Sequence, residues 1–344
     1  MNELTERQKM ILTLLIHEHI RTAAPVGSQN LVSQYRLDMS SATVRNELGL
    51  LTEMGYLRQP HTSAGRVPTE EGYRYFVGRL VQQTELPDTT RQMITHQFYQ
   101  TRQDFDQWMP LAASVLAHQS RAASLITAPH PAQARLKHLE LISTRGPQVL
   151  MVMVLVGGEV HQRLLSMENN ISQEQLSEVA EQINRVLQTK DFETIQAYKM
   201  QFPTLEQEII EWMISEMQQT DSSAAGDLYL DGLTNVLAEP EFSGSDEGRR
   251  ALRVLEERPL MQDLLSRTVI GGAFGGVQVL IGGEGAWDDL RQCSIVLARY
   301  GSPGVATGTL GVLGPMRMAY GRTISTVRFL SALLSDLVVE SMME

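Results

Sequence analysis

Thr43, Arg45 and Asn46 stand together in one short stretch, and their side chains are of the kinds that read DNA. Arginine can pair two donors with guanine, and asparagine can make a matching pair with adenine. Ser40 and Ser41 lie just ahead, where a helix start would leave backbone N–H groups able to hold a phosphate. Further on, Arg58, His61 and Arg66 offer cationic and polar groups to a neighbouring DNA backbone or minor groove. With Ser28, Thr62 and Ser63 they complete the candidate DNA-binding set. Other chemistry is sparse. Gly271 to Gly276 lacks the G-x-G-x-x-G spacing and runs into strand-like residues rather than a helix, so it reads as a loop. The histidines form no i, i+4 pair of the kind that holds zinc, and the one cysteine, Cys293, sits in an apolar pattern. The chain is therefore expected to have no catalytic constellation, no metal site and no cofactor.

The elements that must position these groups are legible. Thr5 and Gln8 form a capping box ahead of Met10, Ile11, Leu14 and Leu15, which predicts a first helix over about 5–20 that stops before Ala24-Pro25. Ser28 is a plausible cap for a short second helix through Leu31, Val32 and Tyr35. Ser40 and Ser41 cap a third, where Val44, Leu48 and Leu51 make the buried stripe and Gly55 the stop. That stripe turns Thr43, Arg45 and Asn46 outward on a rod of roughly 20 Å, which the major groove can admit. Tyr56–Gln59 and Arg66-Val67 then read as short strands around a polar turn whose tightness is assigned to Gly65. Three helices and a hairpin are the layout of a winged helix-turn-helix. Thr69 caps a following helix through Tyr73, Phe76, Val77 and Leu80.

Charge separates this segment from the rest. The 344 residues carry a net charge of -11, yet residues 1–80 hold nine basic and eight acidic groups, so the acidity lies almost wholly beyond them. Such asymmetry suggests separate domains with separate partners. One cysteine excludes an internal disulfide framework, and the N-terminus shows no basic region ahead of an apolar core, so a cytoplasmic location without a membrane span is expected.

After a break at Leu86-Pro87-Asp88-Thr89-Thr90 comes a helical stretch to about 126, with Phe98, Phe105 and Trp108 as core. Strands are expected at Leu136–Ile142, Val149–Val156 and Val160–Leu165, with Gly157-Gly158 as a hairpin turn. Capping boxes at Ser172/Gln175 and Thr204/Gln207 open helices, the second presenting Ile209, Ile210, Met213 and Met217, with Ile209 and Met213 assigned to the insert or its dimer contact. Strands return near Val277–Ile281, Ser294–Tyr300 and Val305–Leu313, followed by an amphipathic helix through Ile324, Val327, Leu330, Leu334 and Leu337. Strands, helices and strands again suggest an insertion inside one α+β domain.

The stretches Pro25-Val26-Gly27-Ser28, Leu37 to Leu48, and Gln59-Pro60-His61-Thr62-Ser63-Ala64-Gly65-Arg66-Val67-Pro68-Thr69 with Gly72-Tyr73-Arg74 closely resemble the heat-inducible transcription repressor family HrcA. Ile281-Gly282-Gly283-Glu284, Cys293 to Val296 and Gly311 to Tyr320 match its C-terminal block. The resemblance implies a multidomain α+β chain: a winged helix-turn-helix at 1–82, a linker at 83–95, and a GAF-like domain at 96–170 and 275–344. A mainly helical dimerising insertion at 171–274 would interrupt the GAF-like domain. It implies a homodimeric repressor on an inverted-repeat operator of chaperone operons of the dnaK and groE types, released on heat shock. The GroE chaperonin is the implied protein partner. The rival expectation is a regulator whose GAF-like domain senses a small ligand.

Overall fold

The computed structural model describes residues 4–62, 64–81, 85–101, 105–130, 133–156, 158–167, 169–222, 227–242, 249–250, 253–254, 257, 261, 276–282, 288–302 and 306–343. It is a mixed α+β molecule in two compact units. One comprises residues 1–128, 227–300 and 309–336; the other is 129–226 with 301–308 and 337–344.

The first unit begins with α1 (Glu6–Thr22), α2 (Ser28–Tyr35) and α3 (Ser41–Glu53), then the hairpin β1 (Leu57–Arg58) and β2 (Val67–Pro68). The Thr5/Gln8 capping box forms as expected, and Ile11, Leu12, Leu15, Leu31, Val44 and Leu51 fill the space between the helices. Ser40 caps α3, and Gly55 follows it at φ +85°, the left-handed conformation that ends a helix. α4 (Glu70–Tyr75) starts at the Thr69 cap, and its last turn widens into a π-turn over Phe76–Leu80.

The expected linker is largely helical where it is described. α5 (Asp88–Gln100) begins at Pro87, whose fixed φ suits a helix start, and Asp88 favours the positive end of the helix dipole. α6 (Phe105–Ser120) follows, with Trp108 buried; Phe98 of α5 is also buried, while the side chain of Phe105 lies outside the described residues. A five-stranded sheet completes the unit: β3 (Ala123–Thr127), β7 (Leu228–Asp231), β8 (Val277–Ile281), β9 (Cys293–Ser302) and β10 (Ala306–Pro315), in the order β7-β3-β10-β9-β8. Ala123, Leu125, Ile295, Leu297 and Leu313 share one core with Val236 and Phe242, the former from α10 (Leu233–Leu237). The other side receives α6, where Ser124 Oγ donates to Ala113 O, and α11 (Tyr320–Met343), where Ser331 Oγ donates to Arg299 O. The Gly271–Gly276 loop lies outside the described residues apart from Gly276.

In the second unit β4 (Leu136–Ser143), β5 (Gln148–Leu155) and β6 (Val160–Ser166) make an antiparallel sheet with β5 in the middle. Its inner residues, among them Leu139, Met151, Met153 and Leu165, pack on α7 (Gln173–Leu187), α8 (Phe192–Tyr198) and α9 (Thr204–Ser222). The insert was expected to run from 171 to 274, and its expected end lies outside the described residues. These three strands join the helices that follow them rather than the five-stranded sheet, and the chain returns to that sheet at Leu228. Ile209 and Met213 are fully buried in this unit's own core. Among the described residues no helix is long and apolar enough to cross a membrane.

Candidate nucleic-acid interface

α3 and the hairpin face each other across a cleft of about 390 Å³ lined by Ser28, Arg45, Leu48, Gln59, Thr62 and Arg66, among others. The outward side of α3 carries Arg45 and Asn46, both exposed, with Thr43 half-buried beside them. Ser40 Oγ accepts from Thr43 N at 3.1 Å and lies 2.9 Å from Thr43 Oγ1, so the first turn is closed by its own hydroxyls. Ser41 occupies the first helical position. One turn on, Glu47 meets Gln8 at 3.3 Å and Arg7 at 3.5 Å, which keeps its carboxylate on the α1 side of the helix.

The wing is pinned from three directions. Val26 and Arg66 exchange both backbone hydrogen bonds at 2.8 Å, tying the hairpin to the α1–α2 connection. Gln59 Nε2 donates to Thr62 O and Ala64 O at 2.9 and 3.0 Å, bracing the tip from inside. Arg66 Nε donates to Thr52 Oγ1 at 3.0 Å, and Thr52 Oγ1 donates to Leu48 O, so the arginine holds the wing against α3. Gly65 is needed here for close approach and not for an unusual turn. A Cβ on it would lie 2.4 Å from the Val26 carbonyl carbon and oxygen.

The structure gathers most of the expected set. Arg58, His61 and Thr62 are exposed on the hairpin, and Arg45 and Asn46 on the helix. Ser63 lies outside the described residues. Ser28 differs from expectation: Gly27 is the cap of α2, and Ser28 is buried at its first position, because the Val26–Arg66 bridge draws the chain inward there. Gln59, Val26 and Thr52 were missed. The only signal in the sequence was that Gln59 opens the turn segment.

The family model described as HrcA protein C terminal domain matches residues 106–324. A heat-inducible transcription repressor HrcA of Roseiflexus castenholzii is 44% identical over 346 residues, covering 98% of this chain and 95% of its own length. The chain belongs to the HrcA family of heat-inducible transcription repressors. A second HrcA relative, from Chloroflexus aurantiacus, is 41% identical over 354 residues, with 98% of this chain and 94% of its own covered. In fold the chain is similar to a crystal structure of a hypothetical protein, at 20% identity and a TM-score of 0.62 over 98% of this chain and 100% of the other.

Titratable groups elsewhere in this HrcA chain do not assemble a reactive site among the described residues. Burial pushes the Cys293 thiol up to about 12, which leaves almost no thiolate at neutral pH. Burial also holds the Tyr300 and Tyr320 hydroxyls above the ordinary tyrosine range, and both serve as hydrogen-bonding groups, Tyr300 to Thr127 O and Tyr320 to Met316 O.

Proposed function

We propose that residues 4–81 form a winged helix-turn-helix whose third helix enters the major groove while the hairpin follows the adjacent backbone. The observation that carries this reading is the cleft in which Arg45 of α3 faces the hairpin residues Thr62 and Arg66. Arg45 and Asn46 would read base edges; Ser40, Ser41, Thr43, Arg58, His61 and Thr62 would contact phosphate and fix the register. The five-stranded unit would be the GAF-like domain. Counted within the unit, its strands run 2-1-5-4-3 once residues 129–226 are set aside as the insert.

The reader is near-neutral and small, so one copy would bind weakly, and a homodimer on an inverted repeat would join two modest contacts. The outer face of β4-β5-β6 suits a second copy. Across it run the rows Ile142–Leu150–Leu164 and His138–Val154–Val160, with Glu140 and Gln162 flanking Val152 between them. Val160 and Leu164 are 59% and 54% exposed. A two-fold axis through Val152 would bury the apolar rows against each other and bring His138 and Glu140 of opposite copies within reach.

On this reading the protein represses chaperone operons of the dnaK and groE types and leaves the operator on heat shock, with the GroE chaperonin favouring its active form. A mobility-shift titration on DNA carrying the inverted repeat upstream of its own chaperone operon tests it. Retardation strengthened by chaperonin and lost on warming supports the proposal. Equal affinity for a scrambled repeat would overturn it.

A further inference from the structure

Arg317 lies in the turn between β10 and α11, and only 12% of its side chain is exposed. Its Nε and Nη2 donate to the Glu241 carboxylate, the latter at 3.0 Å, and Nη2 also donates to Glu239. Both carboxylates stand on a turn that Phe242 anchors in the core behind the five-stranded sheet. The remaining arm, Nη1, reaches Ile20 O at 3.4 Å. That carbonyl belongs to the last turn of α1, where helix carbonyls lack intrahelical partners and the dipole favours a cation. One guanidinium therefore joins the sheet's two flanking turns to the first helix of the DNA-reading head. A second link runs the other way, Arg74 of α4 donating to Ile281 O at 3.1 Å, with the Tyr73 and Tyr320 rings packed 6.0 Å apart.

We infer that Arg317 is a positioning residue for operator recognition, fixing the orientation of each reading head on the five-stranded sheet. The inference rests on the reading of the head as an operator-binding module. A head free to pivot can still grip one half-site, but it loses effective concentration at the second half-site and tolerates wrong spacing. A rigid head distinguishes the natural spacing of the two half-sites from one altered by half a helical turn. Lysine at this position keeps the charge but lacks the planar fork that serves three acceptors at once.

The test uses the full chain and fluorescence anisotropy on three DNAs: the natural inverted repeat, the same repeat lengthened by half a turn, and a single half-site. Arg317→Ala is expected to weaken binding to the natural repeat about tenfold or more, the scale of charge-assisted hydrogen bonds. It should leave half-site affinity unchanged and erase the preference for natural spacing. Arg317→Lys and Glu239→Gln with Glu241→Gln should fall between. Hydrogen exchange at the C-terminal end of α1 should quicken in Arg317→Ala. Unchanged spacing preference would overturn the inference, as would a half-site loss equal to the full-site loss, which marks a stability role. If wild-type protein itself ignores the repeat, the operator reading fails and the positioning role falls with it, while exchange at α1 still reports whether the clamp exists.

Discussion

Arg45 and Arg66 are both arginines of the same cleft, yet their surroundings give them different work. Arg66 spends its Nε on Thr52 and its backbone on Val26, whereas Arg45 stands exposed on α3. Replacing Arg45 with alanine should weaken operator binding by about 1 to 3 kcal/mol and relax preference at the base it reads, as measured by anisotropy on operators varied one base at a time. Equal losses on every sequence would instead assign it to phosphate. Gly65→Ala should cost about 1 to 3 kcal/mol of stability through forced overlap with the Val26 carbonyl, and should reduce DNA affinity as the wing moves away; an unchanged melting temperature would contradict that geometry. The outward residues of α3 were legible because a 3.6-residue period assigns faces from the apolar stripe alone. The pins on the wing were not, because Val26 and Arg66 lie far apart in the sequence, and no local pattern encodes their pairing.

At the scale of elements, α1 carries a pH-sensitive group. His19 is half-buried with Nδ1 3.0 Å from Ala24 O, and it faces Arg317, Arg58 and Glu241. Burial foremost, with Arg317 and Arg58 adding to it, outweighs Ala24 O and Glu241 and holds the imidazole below its ordinary 6.5. The unfolded chain then takes the proton first, so this contribution to stability is complete above 6.5 and shrinks as pH falls below it. The melting temperature should drop between pH 7 and 5.5, and His19→Gln should flatten that slope; an identical slope in the variant would count against the assignment. Element type was readable where caps or long apolar runs mark it, as at β5 and the capping boxes of Thr5 and Ser172, but Ala123–Thr127, expected as the end of a helical stretch, is β3, and β7 was not expected at all. Membership was harder. Apolar runs mark β4, β5 and β6 as strands but do not say which elements receive them, and their shared core with α7, α8 and α9 is seen only in the fold.

For the whole molecule, the split in charge bears on the proposed dimer. Residues 1–80 carry a net charge of about +1 and gain little from bulk attraction to DNA, so on the proposed reading the affinity comes from two heads held at the right separation. Leu164→Arg with Val160→Arg should give a monomer by light scattering with unchanged helical content, and operator affinity should fall with it. A dimer of wild-type size would place the interface elsewhere. The central claim, that α3 and the hairpin read an inverted repeat as a pair, is tested most directly by hydroxyl-radical footprinting of the wild-type chain on its own chaperone promoter. Two protected patches related by the repeat's dyad, both lost in Arg45→Ala with Asn46→Ala, are the predicted result. A footprint that ignores the dyad or survives both substitutions would contradict it.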